Sequence, residues 1–471
     1  MSVFEKLNNW ARTSVLLKLL TIGFIILVLL IPSIMVSNLI YERQQLRDSA
    51  IREVSSKWGG NQTVGGPVIS VPYESEILGN DKETKTVVKG WVHFLPDRVA
   101  ADGKITPSKR YRGIYVVVLY NTLLNIQGSF GKLQAQDLRV PEADIMWDKA
   151  LFTLGISDMA GIESAIKLRA GGQEYDMGPG TVTNDIFPSG VSVPIDINPD
   201  STGFDFNLQL NLNGSTDLFF TPFGKETTVN LTSEWANPSF DGTFLPDRRA
   251  VSEEGFTANW TVLQLNRNYE QQGVGRYISA AKNLEPAYDK FGDRYYDNYQ
   301  VYNNDEIGFR NQTNAFGVRL MLPIDEYQKT KRSEKYALFF IFITFLTFFF
   351  IEVLNNKRLH PIQYFLVGAA IVLFYVLLLS ISEHLSFNWS YLISCALILS
   401  LITGYCSFIL QSRKLTFLMF GVLAILYGFF WSLLQLQDYA LLLGSAGLLL
   451  ILATVMYLTR NVDWYGRDVR A

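Results

Sequence analysis

"IEVLNNKRLHPIQYFLVG", Ile351–Gly368, joins two long apolar runs and sets Lys357, Arg358 and His360 just before Pro361. The flanking runs, Tyr336–Leu354 and Ile362–Ser382, each approach the about 20 residues a helix needs to cross a hydrocarbon core. The stretch therefore reads as the turn of a membrane hairpin, with Pro361 suited to the first turn of the following helix. Working outward, Leu16–Ser37, Trp389–Ile409, Leu415–Leu434 and Ala440–Leu458 have the same character. Six transmembrane helices are expected. The first is read as an uncleaved signal anchor, because no Ala-x-Ala site follows it.

The short loops set the orientation. Lys357 and Arg358, Arg413 and Lys414, and Arg460, Arg467 and Arg470 mark one side. The alternate loops, "EHLSFN" and "LQLQD", hold no Lys or Arg. The positive-inside rule then places both termini in the cytoplasm and the long segment between the first two spans outside it. The expected order is a cytoplasmic N-terminus at 1–15, a membrane helix at 16–37, an exported domain at 38–335, five more helices within 336–458 and a cytoplasmic tail at 459–471.

Within the exported segment the period changes. "YERQQLRDSAIREVSSKWGG", Tyr41–Gly60, keeps Ile51, Val54 and Trp58 on one helical face and stops at Gly59-Gly60. "FDFNLQLNLN", Phe204–Asn213, alternates instead, with Phe204, Phe206, Leu208, Leu210 and Leu212 facing one way. "YRGIYVVVLYN", "TTVNLTSEW" and "FTANWTVLQLN" are β-branched and aromatic runs between turn residues. They predict a large, mainly antiparallel, β-sandwich-like domain. "FLPDR" occurs at Phe94–Arg98 and again at Phe244–Arg248, in each case as the exit from a strand into a turn.

Chemistry is sparse. The chain has 3 histidines, and only His93 falls in the exported segment, which leaves too few ligands for a His/Cys metal site there. A Ser-His-Asp arrangement would have to use His93, which sits in the apparent strand "GWVHFLP" and reads as structural. No Gly-x-Ser-x-Gly, phosphate-binding loop or dinucleotide fingerprint is present. No catalytic, cofactor-binding or metal-binding residue is assigned, and no cofactor is expected. Cys395 and Cys406 read as small packing residues inside a span. Ser400/Gly404 and Ala440/Gly444 have the spacing of helix-packing seams.

One motif is left to carry function: Glu352, Arg358, His360, Pro361 and Gln363 at one end of the spans, with Glu383 and His384 at the other. Glu352 is expected near a span end within reach of water, facing His360 across the hairpin. The two clusters then act as anchors for the second and third helices. A formal net charge of −3 accompanies expected partners in the bilayer and among envelope components or membrane proteins, with no nucleic acid.

"RLHPIQYFLVGAAIVLFYVLLLSISEH" (Arg358–His384), "SFDGTFLPDRRAVSEEGFTANW", "DEYQKTKRSEKYALFF" and "YLTRNVDWY" resemble the CreD family of bacterial inner-membrane proteins. The resemblance runs over nearly the whole chain. It implies a Gram-negative inner-membrane protein tied to cell-envelope integrity, colicin tolerance and the β-lactam response. The function expected for it is binding or scaffolding by the periplasmic domain. Two other functions stay open: an enzyme modifying envelope glycan or lipid, and a membrane conduit for lipid or a small solute.

Overall fold

A computed structural model of the chain describes residues 15–78, 85–135, 138, 140–198, 201–278, 314–322, 326–355, 359–435 and 439–460. They form two compact units, one within 1–46 and 324–471, the other within 47–323.

The helices are α1 (Val15–Trp58), α2 (Glu326–Lys335), α3 (Ala337–Leu354), α4 (Pro361–Ser382), α5 (Phe387–Leu410), α6 (Arg413–Gln435) and α7 (Ala440–Thr459). Among the described residues, five helices (α1, α3, α4, α5 and α6) are long and apolar enough to cross a membrane. The sixth expected span, Ala440–Leu458, is also helical, but its described apolar stretch, Leu441–Tyr457, is shorter. Leu20, Phe24, Leu27 and Ile31 on α1, and Leu441, Leu449 and Met456 on α7, are more than half exposed. Water would penalise so much contiguous apolar surface, whereas lipid would not. The opposite faces pack Leu29, Phe340, Phe345, Ile371, Phe374, Ile398 and Leu423 into one core.

The span expected at 16–37 and the helix expected to stop at Gly59-Gly60 form one unbroken helix that ends at Trp58. Between Asn38 and Lys57 there is no Gly or Pro to stop it. Gly404 and Gly444 face open space, so the seams expected there are not packed. The close approaches lie instead at Gly368, against Leu29 and Phe345, and at Gly447, against Phe429.

The other unit holds the strands β1 (Gln62–Leu78), β2 (Lys85–Phe94), β3 (Arg98–Arg112), β4 (Tyr115–Gly131), β5 (Leu151–Ile156), β6 (Lys167–Ala170), β7 (Gln173–Asp176), β8 (Gly178–Pro179), β9 (Gly190–Pro194), β10 (Gly203–Ser215), β11 (Asp217–Phe220), β12 (Glu226–Ser233), β13 (Pro238–Gly242), β14 (Arg248–Ser252), β15 (Gly255–Leu263), β16 (Gln272–Val274) and β17 (Phe316–Leu320). One sheet has the order β13-β17-β11-β1-β5-β9-β8, with β2 also on β1 and β16 on β2. The other runs β14-β15-β12-β3-β4-β10-β6-β7. Pairing is antiparallel except at β1–β11 and β3–β12, which are parallel.

The alternation in "FDFNLQLNLN" has the expected result. Phe206, Leu208, Leu210 and Leu212 are buried, while Asp205, Asn207 and Gln209 are exposed. One core draws on both sheets: Phe152 of β5 meets Phe206 of β10 at 5.6 Å, and Trp260 of β15 meets Phe316 of β17 at 5.8 Å.

Both "FLPDR" copies lead from a strand of the first sheet to a strand of the second. In each, the Asp N–H donates to the strand paired with the one that follows: Asp97 to the Ser129 carbonyl (2.9 Å), Asp247 to that of Asn259 (2.8 Å). Their leucines differ, Leu95 being buried and Leu245 exposed. What the two copies share is therefore the backbone corner.

Candidate functional site

Two polar centres stand out from apolar surroundings, one in each unit. The first begins on β1 and β2. Ser70 and His93 are directly opposed in the antiparallel register. Ile69 and Val71 enter the core shared by the sheets, so the period of two sends Ser70 to the other face. That face is covered by Leu95, Ile186, Phe187, Phe223, Tyr269 and Ile278. Asp185, next to Ile186, completes the group.

His93 Nε2 lies 3.4 Å from Asp185 Oδ2, and Nδ1 lies 2.8 Å from Ser70 Oγ. A carboxylate can only accept, so Nε2 carries the proton and the Ser70 hydroxyl donates to Nδ1. Tyr277 stacks on the imidazole with ring centroids 6.4 Å apart, and Arg276 Nε lies 3.8 Å from Asp185 Oδ1.

The sequence identified His93 as the one histidine of the exported segment but gave no sign of these partners. Ser70 is 23 residues away from it and Asp185 is 92. Strand register joins Ser70 to His93, and the turn containing Ile186 brings Asp185 to them. In chemical terms the order Ser–His–Asp is that of a nucleophile, its base and a carboxylate that orients the base. His93 is 0% exposed and Ser70 4%, so a substrate has no path to Ser70 Oγ in this form.

Burial holds the His93 imidazole below its usual range, and the Asp185 carboxylate opposes this only in part. The linkage sign follows. Below the unfolded value near 6.5, the unfolded chain binds a proton that the folded chain refuses. Stability contributed by neutral His93 is therefore complete above that pH and is lost as pH falls through it toward the lower folded value. Melting of the full-length protein should show a decline between pH 7 and pH 5 of up to about 1.4 kcal/mol per unit. His93→Gln should flatten this part of the profile. An unchanged slope would show that other groups set it.

The second centre is the hairpin. Glu352, near the end of α3, is 4% exposed, contrary to the expectation that it reaches water. Burial is tolerated because three donors surround it. Lys18 Nζ (2.8 Å) and the Leu359 N–H (3.2 Å) reach Oε1, and the Tyr364 hydroxyl (3.0 Å) reaches Oε2.

His360 does not take the expected role opposite Glu352. It is the N-cap of α4: its Nδ1 accepts from the Ile362 N–H at 3.3 Å, and Gln363 Oε1 accepts from the His360 N–H at 3.0 Å. Pro361 occupies the first turn. This is a reciprocal capping box with histidine in the usual place of Ser or Thr. Arg358, like Lys357, lies outside the described residues. At the other end of α4, Glu383 Oε1 lies 3.6 Å from Arg43 Nε, and His384 is exposed. α1 thus supplies a cation to each end of the hairpin helices, Lys18 at one and Arg43 at the other. Lys18 and Tyr364 were not legible as partners in the sequence, since each stands within a largely apolar run.

Elsewhere in this unit, a groove of about 560 Å³ between α3, α6 and α7 is lined mainly by apolar side chains, among them Ile343, Phe350, Leu418, Phe429 and Leu450. Thr347, Asn355 and Thr454 are its polar members, and among the described residues no carboxylate or basic group lines it.

Residues 14–465 match the family described as inner membrane protein CreD. The chain belongs to the CreD family. It is 33% identical over 448 residues to the inner membrane protein CreD of Escherichia coli strain K12, covering 93% of this chain and 91% of that protein. It is accordingly an inner-membrane protein in which several apolar helices accompany a β-rich unit. Within this CreD-family chain, Glu352, His360, Pro361, Gln363 and Tyr364 gather at one hairpin, whereas Glu383 and His384 stand apart at the far end of α4.

Proposed function

We propose that this protein supports cell-envelope integrity from the inner membrane of a Gram-negative bacterium, using a periplasmic β-sandwich to bind or scaffold envelope components. Six membrane helices, with α7 as the sixth, anchor it, and both termini lie in the cytoplasm. The loop charges support that orientation. The span-end residues Glu352, Arg358, His360, Pro361, Gln363, Glu383 and His384 serve as anchors that fix how the helices meet.

The observation that favours binding over catalysis is the seal around Ser70 and His93. Nucleophilic catalysis needs the reacting atom within reach of substrate. With Ser70 and His93 buried, the Ser–His–Asp group instead ties the segment carrying Asp185 to β1 and β2.

Ser70→Ala separates the two readings. It leaves His93 Nδ1 buried without its donor and should cost about 1–3 kcal/mol of stability. Matched for protein level, cells carrying it should still exclude detergent and large antibiotics as the parent does. A chain lacking residues 62–320 should fail to protect them. If Ser70→Ala behaves like that deletion at parental protein level, an envelope-modifying hydrolase becomes the better reading.

A further inference from the structure

The outward face of the sheet β14-β15-β12-β3-β4-β10-β6-β7 carries an unusual row. Register places Arg248, Asn259, Asn230, Asp102, Asn125 and Gln209 side by side on six adjacent strands. All six are exposed. Within the row, Asn259 Nδ2 donates to Asn230 Oδ1 (2.6 Å), Asn230 Nδ2 to Asp102 Oδ1 (2.6 Å), and Gln209 Nε2 to Asn125 Oδ1 (3.2 Å). The next row reads Thr261, Thr228, Ala100, Gln127, Asn207 and Arg169. At Ala100, whose side chain is short, the surface dips into a depression of about 500 Å³ bordered by Arg98, Gln127, Asp205, Asn207 and Arg169.

A solvated strand face is ordinarily polar, so polarity alone assigns nothing. The choice of residue is informative. Asn and Asp are depleted in strands, where Thr would serve solubility and favour the sheet as well. Here amides fill mid-strand positions, and they are fixed in place by bonds to one another.

The charges narrow the ligand further. Lys104 Nζ lies 3.6 Å from Glu234, Lys167 and Arg169 lie 2.9 and 3.0 Å from Glu174, and Arg98 stands opposite Glu226 in register. Arg248 is the row's one cation and Asp102 its one acid, and the neighbouring cations stand beside acids, so the face makes no field for a polyanion. The amides of Asn125, Asn230, Asn259 and Gln209 can both donate and accept, which suits a ligand that does the same along its length. Hydroxyl groups do so.

We propose that this face binds an uncharged glycan strand, laid across the amide row with one sugar in the depression at Ala100. The proposal rests on the reading of the β-unit as a binding domain and names its ligand class.

The test uses the full-length protein in detergent micelles, with chitohexaose and cellohexaose as probes and polyphosphate as the charged control. Saturable binding of either oligosaccharide, little changed by salt, is expected. The triple variant Asn125→Thr/Asn230→Thr/Asn259→Thr should bind about tenfold more weakly or worse. It should melt at the parental temperature or above, because threonine favours strands. Gln127→Ala, a single change in the depression, should also weaken binding and gives a second reading if the triple variant misfolds.

Three results of the binding assay would overturn the proposal: binding of neither oligosaccharide, parental affinity in both variants, or salt-sensitive preference for polyphosphate. The wider reading is judged separately in cells. If the triple variant protects the envelope as the parent does while deletion of 62–320 abolishes protection, the domain reading stands and the glycan face falls.

Discussion

Glu352→Ala is expected to destabilise the helical unit by about 3 kcal/mol, and Glu352→Gln by about 1 kcal/mol. The alanine variant strands three donors at once: Lys18 Nζ, the Leu359 N–H and the Tyr364 hydroxyl. A buried pair broken on one side costs more than the pair itself contributes, because the remaining charge has left water without compensation. Lys18 moderates this, since its side chain is 32% exposed and can rehydrate. The figure therefore sits at the lower end for buried pairs. The glutamine oxygen can still accept from Lys18 and the Leu359 N–H, and its amide can donate to the Tyr364 oxygen, which accounts for its smaller penalty. Thermal melting in micelles, together with the steady-state level in the membrane, reads both variants. Equal loss in the two would mean that the charge, not the hydrogen-bonding shape that glutamine keeps, holds the hairpin. A Lys18→Met/Glu352→Met double variant should recover part of the loss, as apolar replacement of a whole buried pair often does.

That hairpin also shows how much the sequence could disclose. Span positions followed from run length, and the turn from Pro361 and its basic neighbours, because both are local properties. Partner choice is not local. Glu352 and Lys18 are 334 residues apart, and their meeting depends on which face of α1 turns toward α3. His360 misled for a related reason. Its titratable ring suggested a partner carboxylate, yet the first turn of α4 has orphan N–H groups close by that compete for the same nitrogen.

In the β-unit the alternation of "FDFNLQLNLN" showed which side of β10 is buried. It did not show that the opposite, amide-bearing side would align with Asn125, Asp102 and Asn230 on other strands. Register across six strands supplies that row, and no single segment contains it. The small-residue pairs at Gly404 and Gly444 illustrate the converse: correct spacing identifies a face able to pack closely, while neighbouring helices decide whether it does.

Trp260→Ala should have the largest effect in the β-unit, a loss of about 3–5 kcal/mol. Trp260 is 1% exposed on β15, in one sheet, and its ring lies 5.7 Å from Phe240 of β13 and 5.8 Å from Phe316 of β17, in the other. Truncation thus removes contacts that join the two sheets as well as contacts within one. Its Nε1–H also donates to the Phe244 carbonyl at 3.2 Å, at the first residue of the second "FLPDR" corner. Trp260→Phe keeps most of the ring but loses this donor, leaving the carbonyl to find another partner, and should cost about 1–2 kcal/mol. Limited proteolysis of the full-length protein in micelles offers a local readout. The alanine variant should be cut near Phe244–Arg248 well before the parent, and the phenylalanine variant should be intermediate. Equal cleavage of the two variants would assign the corner's order to the hydrogen bond. The graded outcome assigns it to the aromatic contacts that bring β13 and β17 against β15, which makes the backbone corner a consequence of how the two sheets share their core.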